Sequence, residues 1–167
     1  MRVHILNKNG FDHIMKQNGI DDSNVEQFNS ILFISITDTD NFIDRKEPYF
    51  KENHDNVINL SFDDVEHDGE PSPTNFGKGT RAFSEKQAKQ LYEFIKKNRE
   101  VETCLVHCMA GISRSGAVGT FINGYCRGDW ERFKRDNPQI APNARVSRML
   151  NAARYNDLDD WKRKRNN

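Results

Sequence analysis

Apolar runs too short for helices alternate along this chain with segments of helical periodicity. That alternation predicts an α/β domain with a central, mostly parallel sheet of four to five strands flanked by helices. Two further observations support the prediction. Ser30–Ile36 (SILFISI) is continuously apolar and rich in β-branched residues, as a strand buried on both faces should be. The 167 residues suit one ordinary domain spanning 1–167, with no internal repeat to mark a second.

Taken in order, Val3–Leu6 reads as a short first strand and Phe11–Gln17 as a helix, followed by the strand at 30–36. A polar stretch, 37–56, leads to VINLSFDDV at 57–65, where Ile58, Leu60 and Phe62 alternate with polar residues in strand fashion. Residues 67–80 carry Gly69, Pro71, Pro73, Gly77 and Gly79, which marks an irregular loop. Ser84 and Gln87 fit a capping box, and Ala88, Leu91, Tyr92 and Ile95 follow at helical spacing. Cys104-Leu-Val106, within 102–107, is a compact central strand. Ala117–Tyr125, apolar nearly all round, is a buried helix. Arg127–Arg135 suits a charged surface helix. Pro138 and Pro142 break the chain, and Asn143 can cap a last helix reaching about Lys162.

Charge is balanced at 25 cations against 25 anions, so no nucleic-acid partner is expected. No stretch approaches the roughly 20 apolar residues of a membrane helix, and Met1–Leu6 turns polar too soon for a signal peptide. Three widely spaced cysteines make no disulfide framework and suit a reducing, cytoplasmic setting. Cys104 and Cys108, four apart on a strand, stand about 13 Å apart, too far to bridge. Cys126, Trp130 and Trp161 read as packing residues. Five histidines show no ligand spacing, so neither a metal nor a cofactor is expected. Gly77-Lys-Gly79 lacks the rest of a nucleotide-binding motif.

The informative segment is His107-Cys-Met-Ala-Gly-Ile-Ser-Arg-Ser115, set between an apolar strand and an apolar helix. A turn there aims successive N–H groups at one point, and the helix N-terminus adds positive potential. Met109, Ala110, Gly111, Ile112, Ser113 and Arg114 would form this phosphate cradle, with the Arg114 fork taking two phosphoryl oxygens. Gly111 permits a conformation or a close approach that a side chain would forbid. In that environment the Cys108 thiol should ionise and attack phosphorus in line. Ser115 is placed to donate a hydrogen bond to the thiolate, and His107 to orient the loop through a ring N–H.

The pattern His-Cys-x-x-Gly-x-x-Arg-Ser resembles the signature of the protein tyrosine phosphatase superfamily. Ala-Gly-Ile-x-Arg-Ser-Gly is similar to its protein-tyrosine members, while the chain length is similar to the compact dual-specificity branch. The resemblance runs from about residue 57 to 150 and implies the cysteine-based phosphatase fold. It also implies a general acid, an aspartate on a mobile loop after a strand that precedes the signature. Phe62-Asp-Asp-Val65 is the matching stretch; alternation from Ile58 through Phe62 favours Asp64 over Asp63. Asp64 precedes Cys108 by 44 positions, a longer interval than in compact members, and the 67–80 loop absorbs the excess. Ile140-Ala-Pro-Asn143 resembles the stretch opening the last helix of dual-specificity members, where Asn143 could cap the helix or support the catalytic loops.

The function expected is a phosphoric monoester hydrolase working through a phosphocysteine intermediate. Its favoured partner is a phosphotyrosine protein, with phosphoserine and phosphothreonine open, and phosphate, vanadate or sulfate should bind its active site. The alternatives are an idle phospho-binding interaction module and a phosphatase acting on a non-protein ester.

Overall fold

The computed structural model describes residues 1–39, 47–72 and 79–165, with side chains through 159. Four strands, β1 (Arg2–Asn7), β2 (Ile31–Thr37), β3 (Val57–Ser61) and β4 (Thr103–Cys108), pair in the order β1-β4-β2-β3. Every pairing is parallel. Five helices flank the sheet: α1 (Lys8–Gln17), α2 (Glu85–Lys97), α3 (Arg114–Tyr125), α4 (Trp130–Asp136) and α5 (Ala144–Arg165). The result is a single α/β domain with a four-stranded all-parallel sheet. No helix among the described residues is long and apolar enough to cross a membrane.

The period-2 geometry of the strands sorts their side chains into two cores. Leu32, Ile34 and Ile36 of β2, with Val106 of β4, face the layer of α2, α3 and α5. Phe33, the odd neighbour, faces Phe11 and Met15 of α1 and Phe50. Phe11 meets Phe33 edge-on, ring centroids 6.4 Å apart, and Phe50 at 6.1 Å. Each large side chain buried this way contributes about 1.5–3 kcal/mol, so a central strand apolar on both faces anchors both layers.

β1 lies at the edge, where unpaired backbone groups need partners. The buried amide of Asn137 supplies them: its Oδ1 accepts from Ile5 N–H at 2.8 Å and its Nδ2 donates to the Val3 carbonyl at 3.1 Å. α3 packs closely on this strand because Gly119 has no side chain; a Cβ there would lie 2.7 Å from Cδ1 of Ile5.

Several boundaries differ from the sequence expectation. α1 begins at Lys8, three residues early, because the Asn7 side chain caps it by accepting from Gly10 N–H at 2.7 Å. The third strand stops at Ser61: Asp63 N–H leaves the sheet and donates to the Arg81 carbonyl at 2.7 Å. The charged helix starts only at Trp130, with Asp129 as its cap. The capping box forms as written, Ser84 N–H donating to Gln87 Oε1 at 3.0 Å and Gln87 N–H to Ser84 Oγ at 3.3 Å. Pro73, Gly77 and Lys78 lie outside the described residues.

Candidate active site

All four strands deliver residues to one place, the C-terminal edge of the sheet, where open parallel sheets place their ligand sites. β4 ends on Cys108, and its register partner at the end of β1 is Asn7. Asp38 follows the end of β2, and Phe62 to Asp64 follow the end of β3.

Between Cys108 and Arg114 the chain makes a tight loop whose carbonyls are tied outward. Met109 C=O accepts from Lys8 N–H at 3.2 Å, Gly111 C=O from Gln139 Nε2 at 3.3 Å, Ile112 C=O from Ala141 N–H at 3.2 Å, and Ser113 C=O from Asn143 N–H at 3.1 Å. In a trans peptide the N–H points opposite to the carbonyl. The amides of residues 110 and 112–114 therefore turn inward, the nest that an anion requires. Gly111 has φ +72°, and a Cβ there would lie 2.7 Å from the backbone at Leu6 and Asn7. Both the turn and its close seat on β1 depend on glycine.

Cys108 sits at the base of this loop, 2% exposed, with Sγ 3.1 Å from Ser115 Oγ. Burial pushes its thiol pKa up. The Arg114 charge, the Ser115 hydroxyl and the amides of Ser115 and Ile112 outweigh that and leave it below the ordinary value. Arg114 is buried, with Nη1 donating to Asp38 Oδ1 at 2.6 Å and to the Phe62 carbonyl at 2.7 Å. Its Nε is buried without a hydrogen-bond partner among the described residues. One edge of the guanidinium is thus anchored, and its Nε remains available. Sequence reasoning missed Asp38; its only signal is its position just beyond the apolar run of β2.

The two adjacent aspartates separate sharply. Asp63 is 1% exposed and accepts from the Thr39 hydroxyl and from Arg81 N–H at 2.8 Å, so it braces the loop base. Asp64 reaches the cradle: Oδ1 accepts from Ser113 Oγ and from Asn143 Nδ2, both at 2.8 Å. Asn143 Oδ1 meanwhile accepts from Val146 N–H at 3.0 Å, so one side chain both caps α5 and holds Asp64.

His107 lies on the other face of its strand. Its ring packs 4.3 Å from that of Phe11, and neither nitrogen has a hydrogen-bond partner among the described residues. On a period-2 strand the residue before Cys108 faces the opposite core, toward α1. Burial, and secondarily the Lys8 charge, lower its pKa from 6.5 to about 4; the Cys108 backbone offsets this in part without reaching hydrogen-bond geometry. The unfolded chain binds this proton below about pH 6.5. Between 6.5 and 4 it therefore holds more protons than the folded protein does. Stability due to neutral His107 should be complete above pH 6.5 and fall toward pH 4, by about 3 kcal/mol in all. Urea unfolding across that range should reveal the loss, and His107→Phe should flatten it. An unchanged slope in the variant would assign the titration elsewhere.

Lys8, also buried, is paired to both oxygens of Asp12 at 2.6 and 2.7 Å, which fixes the first turn of α1 beside the loop.

No family model matches the chain, and no curated protein does. Among solved structures, the crystal structure of Tk-PTP in the active form matches over 78% of this chain and 84% of that one. Identity is 17% and the TM-score 0.42. A likeness that distant carries no argument about activity.

Proposed function

We propose that the protein is a phosphoric monoester hydrolase that uses Cys108 as nucleophile, with protein phosphotyrosine as the favoured substrate. The observation that carries this reading is the conjunction at one point of a thiol with lowered pKa, inward amides and a buried guanidinium whose Nε has no partner among the described residues. A phosphoryl dianion is the ligand that such a set neutralises, and a module that only binds has no use for the thiolate.

In the first step the Cys108 thiolate attacks phosphorus: the S–P bond forms, the P–O bond to the leaving group breaks, and Asp64 gives its proton to the departing oxygen. Water then attacks phosphorus as Asp64 takes its proton. The S–P bond breaks, inorganic phosphate leaves, and the Ser115 hydroxyl, 3.1 Å from Sγ, stabilises the returning thiolate. The uncharged rim of Met109, Ala110 and Ile112, with Ile112 39% exposed, favours an aromatic ester over a polyanionic one.

The test is hydrolysis of p-nitrophenyl phosphate under reducing conditions, with vanadate as inhibitor. Asp64→Asn should lower kcat by about 10²-fold or more, the usual share of a general acid. Asp63→Asn should chiefly lower the melting temperature. A harmless Asp64→Asn would reassign the acid. No turnover in well-folded wild type, together with Arg114-dependent phosphate binding, would make the protein a phospho-binding module.

A further inference from the structure

Beyond Asp64 the same segment makes a second attachment, within the first turns of α5. Glu66 Oε1 accepts from Arg145 N–H in the first turn of α5 at 3.1 Å, and Oε2 from Arg148 Nη2 at 2.7 Å. The Arg145 guanidinium reaches back across the segment: Nη1 donates to the Glu66 carbonyl at 2.7 Å and Nε to the Phe83 carbonyl at 2.8 Å. One planar fork thus joins two points of chain, residues 66 and 83, on either side of the Pro/Gly-rich stretch. The inner end of this stretch is fastened separately, through Asp63 to Arg81 N–H and Asp68 to Ala82 N–H, both at 2.8 Å.

From this geometry we infer that Arg145, assisted by Arg148, is a positioning residue: it clasps Glu66 and so fixes where Asp64 stands over the 108–114 loop. The inference rests on the phosphatase reading for its catalytic consequence, while the clasp itself does not. Asp64 lies two residues before Glu66, and its contacts to Ser113 and Asn143 meet a single oxygen, Oδ1. Two bonds on one atom locate the carboxyl group but leave it free to pivot, so the outer anchor decides its direction. The Glu66–Arg148 pair is mostly exposed, 38% and 64%, and pairs of that kind add little. Arg145 is half-buried and bonds two carbonyls and holds more of the clasp. A main-chain attachment of this type suits Arg better than Lys, since the guanidinium presents separate donors in fixed directions to the two carbonyls.

A misplaced acid has a distinctive kinetic effect. An aryl ester with an activated leaving group departs without protonation, whereas phenyl phosphate needs the proton. Arg145→Ala should therefore lower kcat/KM on phenyl phosphate, which reads the step that phosphorylates Cys108 and not the hydrolysis shared by all esters, about tenfold or more. The kcat/KM for 2,4-dinitrophenyl phosphate and the affinity for inorganic phosphate should stay at wild-type values. Amide hydrogen exchange at residues 63–70 should quicken in the same variant. Arg148→Ala should give the same pattern more weakly. Glu66→Ala serves as the second variant if Arg145→Ala does not fold. Equal losses of kcat/KM on both esters, or exchange at 63–70 unchanged, would overturn the clasp. If wild type hydrolysed neither ester, the phosphatase reading would fall, and faster exchange in Arg145→Ala would still establish the clasp.

Discussion

Cys108→Ser is expected to lose turnover of p-nitrophenyl phosphate by at least about 10⁴-fold, since removal of a covalent nucleophile leaves only binding and electrostatic contributions. A serine hydroxyl at this position stays protonated under conditions where the thiol, held low by Arg114 and the Ser115 and Ile112 contacts, is ionised. The cradle itself is untouched by the change. Its amides are oriented by carbonyl bonds to Lys8, Gln139, Ala141 and Asn143, none of which involves the sulfur. Inorganic phosphate should therefore bind the variant as well as wild type or better, because a neutral hydroxyl does not repel the anion. Isothermal titration with phosphate beside the activity assay separates the two effects. Residual turnover above one percent would exclude Cys108 as nucleophile, and loss of phosphate binding would mean that the substitution had damaged the loop.

Asp38→Asn should destabilise the anion-free protein by about 3–5 kcal/mol, the usual cost of removing one partner from a buried ion pair. The Arg114 and Asp38 side chains are 4% and 1% exposed, with Nη1 to Oδ1 at 2.6 Å. No other carboxylate is bonded to Arg114 among the described residues, and the Phe62 carbonyl supplies only a dipole. Among the described residues Asp38 Oδ2 is itself buried without a partner, so little else there compensates the pair. A bound dianion would supply the missing charge. Phosphate should then raise the melting temperature of Asp38→Asn by more than it raises that of wild type. Equal melting temperatures for the two proteins in phosphate-free buffer would dismiss Asp38 as the counter-charge of Arg114.

Much of this site is visible in the order of residues because its key parts are local. The nest, the glycine and the arginine fall within nine consecutive positions, His107 to Ser115, and the adjoining strand and helix announce themselves through apolar pattern. Ser84 and Gln87 are read as a helix start for the same reason, since a capping box spans only four residues. Asp63 and Asp64 show where local reading ends. They are neighbours of identical chemistry, and alternation pointed to Asp64 along a strand that in fact stops at Ser61. What separates them is contact with Thr39 and Arg81 on one side and with Ser113 and Asn143 on the other.

The sequence by itself determined the α/β class, the positions of the four strands, and the turn that sets an arginine and a glycine beside a thiol. Each of these depends on side-chain periodicity or on backbone chemistry within a few residues. Only the tertiary structure decided the strand order β1-β4-β2-β3 and the counter-charge of Arg114 at Asp38, 76 positions away. It also decided the inward burial of His107 and the attachment of Glu66 to α5, 79 positions on. Such contacts join residues that no spacing rule connects, and parallel strands are joined by long crossovers that do not themselves set which strands pair. The pairing is chosen by which apolar faces bury best against each other, and the charges at the strand ends meet as a consequence of that packing.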